Sequence, residues 1–146
     1  MKLVKTRSCG QCSLCCKLKA VKELDKPANE WCKHCSPGHG CQIYGDRPPG
    51  CRVWSCEWLE VGSIPEHWYP YHSKMVIDFN VYEDGIPVQH IIVDPGYANR
   101  WKEEPWHSEI RQMASRNIAV GIKTEVIVGT RGWSIYPDRD VPAPVR

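Results

Sequence analysis

The chain has 146 residues, enough for about one domain or one domain with a small appendage. Hydrophobic residues make up 42% and charged residues 25%, with seven Trp and six Tyr, which is too apolar and aromatic for a disordered chain. The formal net charge is +2 and the basic residues are dispersed among acids, so nucleic-acid binding is not expected.

No run reaches the roughly 18 uncharged apolar residues that span a bilayer, and the charged start, Met1-Lys2-Leu3-Val4-Lys5, has no apolar core behind it. The expectation is a cytoplasmic protein without a membrane segment. All nine Cys fall within the first 56 residues, at Cys9, Cys12, Cys15, Cys16, Cys32, Cys35, Cys41, Cys51 and Cys56. Aliphatic residues are scarce there, so hydrophobic burial alone would struggle to order the segment. The count is odd, two Cys are adjacent and no export signal is seen, which argues against disulfides and for metal.

In chain order, Cys9-Gly-Gln-Cys12 reads as a metal knuckle in which Gly10 permits the tight backbone. Leu14, Leu18, Val21 and Leu24 then have helical spacing, so a helix is expected over 13–24, with Cys15 and Cys16 at its start pointing in different directions. Trp31-Cys32-Lys-His-Cys35 is a second knuckle, and a Pro-Gly turn leads to Cys41. Asp46 and the following prolines can start a short helix over 47–60 carrying Cys51 and Cys56, ended by Gly62. A Pro- and aromatic-rich connector, 64–70, follows.

Beyond it, 75–82 and 88–93 read as a hairpin across Asp84-Gly85. Helical spacing runs from Pro105 to Gly121, and 124–129 with 133–136 reads as a second hairpin across Arg131-Gly132. The expected fold class is α+β. A metal-stapled irregular and helical module, 1–62, lies beside a β-β-α-β-β module, 63–146, with a four-stranded antiparallel sheet and one helix.

The two C-x2-C pairs, Cys9/Cys12 and Cys32/Cys35, have zinc-ribbon spacing, while Cys9, Cys12 and Cys15 also form the first three ligands of an iron–sulfur pattern. Zinc, iron and an iron–sulfur cluster therefore all stay open. Eight thiolates would serve two four-thiolate sites, which leaves one Cys over, and Cys15 or Cys16 is the candidate. His34 and His39 are candidate substitute ligands. The other His, at 67, 72, 90 and 107, read as surface or packed side chains, and Trp54, Trp58, Trp68, Trp101, Trp106 and Trp133 as core packing. No paired carboxylates, G-x-S-x-G, phosphate loop or dinucleotide fingerprint is present, and thiolate-only sites are generally closed to substrate, so an enzyme is not the expectation.

The order Cys9-x2-Cys12-x2-Cys15-Cys16, then Cys32 and Cys35, Cys41-Gln-Ile-Tyr44, Arg47-Pro48 and Cys51-Arg52-Val-Trp-x-Cys56 resembles the CxxCxxCC family of bacterial cysteine-cluster proteins over about residues 7–60. The resemblance implies chelation of zinc or iron by the nine Cys. Arg47 and Arg52 match motif positions and are expected to donate hydrogen bonds around the ligands, with Tyr44 packing on or donating to the cluster. One branch resembles flagellin lysine methylases with an iron–sulfur cluster, but nothing in 61–146 looks like a methyl-donor site, and that activity is not carried over. Two further readings are an iron–sulfur protein serving electron transfer or an enzyme, and an adaptor that docks a protein partner on its C-terminal sheet.

Overall fold

The computed structural model describes residues 3–52 and 54–145, with the Arg52 side chain outside the description. Two compact units emerge, Met1–Lys74 and Met75–Arg146. The aromatic connector belongs to the first unit because its backbone is bound by the N-terminal segment: Arg7 donates to the Ile64 carbonyl and the Tyr69 hydroxyl to the Cys9 carbonyl.

The first unit is built from short pieces: α1 (Leu14–Leu18), β1 (Cys35–Ser36), β2 (Gly40–Cys41), α2 (Pro49–Arg52), α3 (Glu57–Glu60) and α4 (Pro70–Ser73). Leu14 and Leu18, four apart on one helical face, are buried, as are Val21, Trp58, Leu59, Ile64 and Trp68. The helix expected over 13–24 stops after Leu18 for a physical reason. The buried Lys26 ammonium takes the Lys17 and Lys19 carbonyls, which a longer helix would use, and Lys19 turns extended. The helix expected over 47–60 is likewise broken into α2 and α3. Between them Cys56 is extended at φ −72° and ψ 152° and begins α3 as its N-cap, in a run of weak helix formers.

The second unit contains β3 (Met75–Val81), β4 (Pro87–Val93), α5 (Trp106–Ile118), β5 (Lys123–Val128), β6 (Arg131–Ile135) and β7 (Asp140–Ala143). They form one five-stranded sheet in sequence order. This corrects the expected four-stranded antiparallel sheet, although the α+β class stands. The sheet is mixed, because α5 is a crossover that returns the chain beside β4, so β4 and β5 pair in parallel. The chain also adds β7, which pattern reading passes over because Pro142 interrupts it. Proline is tolerated on an edge strand, and Pro142 lies opposite Trp133. His107 Nε2 and Arg111 of α5 reach the Asp140 carboxylate at 3.0 and 3.1 Å and hold β7 in place.

One face of the sheet carries Gln89, Ile91 and Val93 opposite Thr124, Val126 and Val128. Helix α5 covers it with Ile110, Met113 and Ala114, and Asn117 Nδ2 donates to Gln89 Oε1 at 2.7 Å and Thr124 Oγ1 at 2.8 Å. The second hairpin turns at Gly129 and Thr130 rather than at Arg131-Gly132. Gly129 supplies the positive φ of +60°, and Gly132 stays in the strand because the neighbouring backbone crowds it. A Cβ on Gly132 would lie 2.9 Å from the Ala143 carbonyl oxygen. Gly132→Ala is therefore expected to destabilise the second unit by about 1–3 kcal/mol and to release β7, read as loss of amide protection at 140–143 in hydrogen exchange. Unchanged protection there would refute the crowding.

On the opposite face, strand register aligns Asp78, His90, Glu125 and Ser134. The Tyr82 hydroxyl donates to Glu125 Oε2 at 3.0 Å and lies 2.8 Å from His90 Nε2. Burial holds the His90 imidazole below its ordinary value of 6.5, against the pull of Glu125 and Asp78. The unfolded chain thus takes up the proton first on acidification. Stability from this group is whole above about pH 6.5 and declines as pH falls through that value towards the lower folded one. Urea midpoints of the second unit should drop between about pH 7.5 and pH 5.5, and His90→Gln should flatten that part of the profile. On the β3 edge, Asp78 Oδ1 accepts the Phe79 backbone N–H at 3.0 Å and its other oxygen accepts from Asn80. Among the described residues no helix is long and apolar enough to cross a membrane.

Candidate metal centre

The first unit gathers its thiols in two neighbourhoods. The first contains Cys9, Cys12 and Cys56. The knuckle closes as expected, with the Cys12 N–H donating to the Cys9 carbonyl at 2.7 Å across Gly10 at φ +53°. A side chain at Gly10 would also press on the Tyr69 hydroxyl, 3.1 Å from the Cβ position. Cys56 reaches this corner from the start of α3, where it is buried. Burial pushes the Cys12 thiol up to about 12, opposed by the Leu14 N–H and reinforced by Cys9, Cys56 and Cys16. Burial likewise raises Cys56 to about 11, opposed by the Leu59 N–H, with Cys9 adding to the rise.

What ties the knuckle to Cys56 is Arg7, a residue that no motif marks. Its guanidinium donates to the carbonyls of Trp58 at 2.7 Å, Val61 at 3.1 Å, Gly62 at 3.4 Å and Ile64 at 2.5 Å. It stacks on the Trp58 ring at 4.6 Å and its side chain is 7% exposed. Arg7 thereby satisfies the last carbonyls of α3 and of the turn after it.

The second neighbourhood contains Cys15, Cys16, Cys32, Cys35, Cys41 and Cys51. Helix α1 carries the first two. The Cys32 N–H donates to the Cys16 carbonyl at 3.1 Å, and the Cys35 N–H to the Cys32 carbonyl at 3.0 Å, which brings the second knuckle onto α1. Strands β1 and β2 then set Cys35 opposite Cys41, and Ser13 Oγ accepts the Gly38 N–H at 2.9 Å, fixing the hairpin turn to the start of α1. Cys51 arrives on α2, whose Gly50 N–H donates to Glu23 Oε1 at 3.1 Å.

The thiols of Cys15 and Cys16 hydrogen-bond each other, which corrects the expectation that they point apart. That bond, before burial, drives the Cys16 thiol up, and burial raises Cys35 to about 12 with Cys16 adding to it. A second residue that pattern reading leaves in a connector, Lys26, organises this corner. Its ammonium donates to the carbonyls of Lys17, Lys19 and Pro27 and it interacts with the thiols of Cys32, Cys16 and Cys15, while burial lowers its own affinity for the proton.

Arg47 and Tyr44, which the family resemblance places around the ligands, form a pair of their own. The Arg47 guanidinium stacks on the Tyr44 ring at 3.8 Å and its Nε donates to the Tyr44 carbonyl at 2.9 Å. The ring is 59% exposed, so it does not form the buried packing expected of it. Arg47 is nevertheless the cation that opposes the rise of Cys9 and Cys51. The Arg52 side chain, also expected there, lies outside the described residues. His34 meets the cluster through its backbone, its N–H lying 3.5 Å from Cys32 Sγ.

Among the described residues no three Cys, His, Asp or Glu side chains are disposed to close on one ion. The donor chemistry fits a thiophilic ion, with soft thiols drawn from separate elements and buried or stacked cations beside them. The thiol rotamers must turn to meet such an ion. Comparison with family models, with curated proteins and with solved structures returns no match.

Proposed function

We propose that the first unit is a metal-chelating module of a cytoplasmic protein that holds zinc or iron through its clustered Cys thiolates, in the manner the resemblance to the CxxCxxCC family implies. The observation that carries this reading is the convergence of the second neighbourhood. Thiols from α1, the second knuckle, β2 and α2 meet around the fixed cation of Lys26, although few aliphatic side chains are available to bring them together. Four soft thiolates around an ion form a closed set that cross-links the chain. Such a site is consistent with a reducing compartment, where thiols persist unpaired.

The test is metal analysis of full-length protein purified anaerobically, repeated with each Cys changed to Ser. About stoichiometric zinc or iron, lost on substitution of Cys32 or Cys35, supports the reading. Metal-free, fully reduced protein that also refuses added zinc rules it out. The iron–sulfur reading rests on the Cys9, Cys12, Cys15 spacing, and in the same preparation it requires visible charge-transfer absorption with matching iron and sulfide. The adaptor reading gains little from the sheet, since α5 covers one of its faces.

A further inference from the structure

The placement of Cys16 bears on how the thiols are shared, an inference that rests on the metal-chelating reading. Cys16 stands between the two neighbourhoods. It follows the first knuckle directly on α1, its carbonyl receives the Cys32 N–H at 3.1 Å, and its thiol hydrogen-bonds those of Cys15 and Cys35. Electrostatically it reaches members of both groups: Cys9 and Cys12 on one side, Cys35 and Cys51 on the other. The first neighbourhood has three thiols of its own, Cys9, Cys12 and Cys56, one short of a tetrahedral thiolate set. The second has Cys32, Cys35, Cys41 and Cys51 around the same helix.

We propose that Cys16 is a bridging thiolate shared by two divalent thiophilic ions, one completed by Cys9, Cys12 and Cys56, the other taking its remaining ligands from Cys32, Cys35, Cys41 and Cys51. Each ligand thiol gives its proton to solvent as its sulfur–metal bond forms, and Cys16 forms two such bonds after losing one proton. Sharing one sulfur removes a negative charge from the pair of sites. It also leaves Cys15, whose thiol faces Cys16, as the residue outside both sets. The flanking cations agree with a joined, highly negative centre: Lys26 lies beside Cys16 and Cys32, and Arg47 beside Cys9 and Cys51.

The experiment uses the full chain loaded anaerobically with cadmium. Cadmium NMR is expected to give two resonances in the thiolate range, each split by the other through the shared sulfur. Native mass spectrometry is expected to count two ions in the wild type and in Cys15→Ala, and one or none in Cys16→Ala. Two resonances without mutual coupling, a single bound ion, or Cys16→Ala that keeps both ions would each overturn the bridge. Should Cys16→Ala fail to fold, the coupling in the wild-type spectrum decides by itself. A wild type that takes up no cadmium defeats the chelating reading of the preceding subsection and the bridge with it, whereas uncoupled double occupancy defeats the bridge alone.

Discussion

Strong chelation under reducing, anaerobic conditions is expected to unfold the Cys-rich unit while the sheet of the second unit keeps its far-ultraviolet signal. The buried aliphatic side chains of the first unit are few, its helices are four or five residues long, and its largest strands pair over two residues. Helices that short do not hold themselves in water. A structural zinc site contributes on the order of 10 kcal/mol in small modules, more than such a unit can replace from packing. The second unit has strands of up to seven residues, a covered face and no Cys, so a chelator has nothing to remove there. Hydrogen exchange on the intact chain reads the two units separately. Protection should vanish at Cys12, Cys32, Cys35 and Gln42 and persist through β3 to β6. Persistent protection at those four amides in the metal-free chain would sink the coupling.

Replacing Arg7 is the second large effect. Arg7→Ala leaves the carbonyls of Trp58, Val61, Gly62 and Ile64 without their shared donor, and the part-buried ones cannot all recruit water. Hydrogen bonds to a charged group contribute about 1.5–3 kcal/mol each and are not additive, so a loss of about 3 kcal/mol or more is expected. The ion pair to Glu66 adds little, because that carboxylate is 79% exposed. Arg7→Lys should rescue only a small part, since an ammonium does not span the fork of carbonyls that the guanidinium fits. Denaturation of the metal-loaded chain, followed by Trp fluorescence, measures both. A cost below about 1 kcal/mol for Arg7→Ala would show that these bonds do not hold the corner together.

The parts of this fold that are legible in the sequence are those that local rules control. Asp84-Gly85 marks the first hairpin, and Gly85 adopts φ +83° in its turn. The spacing of Ile110 and Met113 marks α5, and the tight Cys9–Cys12 turn follows from Gly10. Where distant groups compete with local preference, the reading fails. The apolar spacing that continues through Val21 and Leu24 does not extend α1 to residue 24, because Lys26 captures its carbonyls from the far side of a turn. Nothing local announces that β5 returns in parallel beside β4, or that Asp140 will be held by two side chains of α5. The same holds at the thiol cluster. Its members are plain in the sequence, but Arg7 and Lys26 act through backbone carbonyls, and a carbonyl leaves no mark in a residue pattern.

The two borders of the five-stranded sheet bear on behaviour at high concentration. At one border β7 is short and carries Pro142, which has no N–H to offer. At the other, the Phe79 N–H is taken by the carboxylate of its own neighbour, Asp78, and that carboxylate adds charge beside the exposed Phe79 and Val81. Neither border is a good template for strand-by-strand polymerisation, the hazard that open sheets carry when crowded. Concentrated second-unit sheet should thus resist fibril growth, and Asp78→Ala, by freeing one N–H beside two exposed apolar side chains, is the change that would invite it.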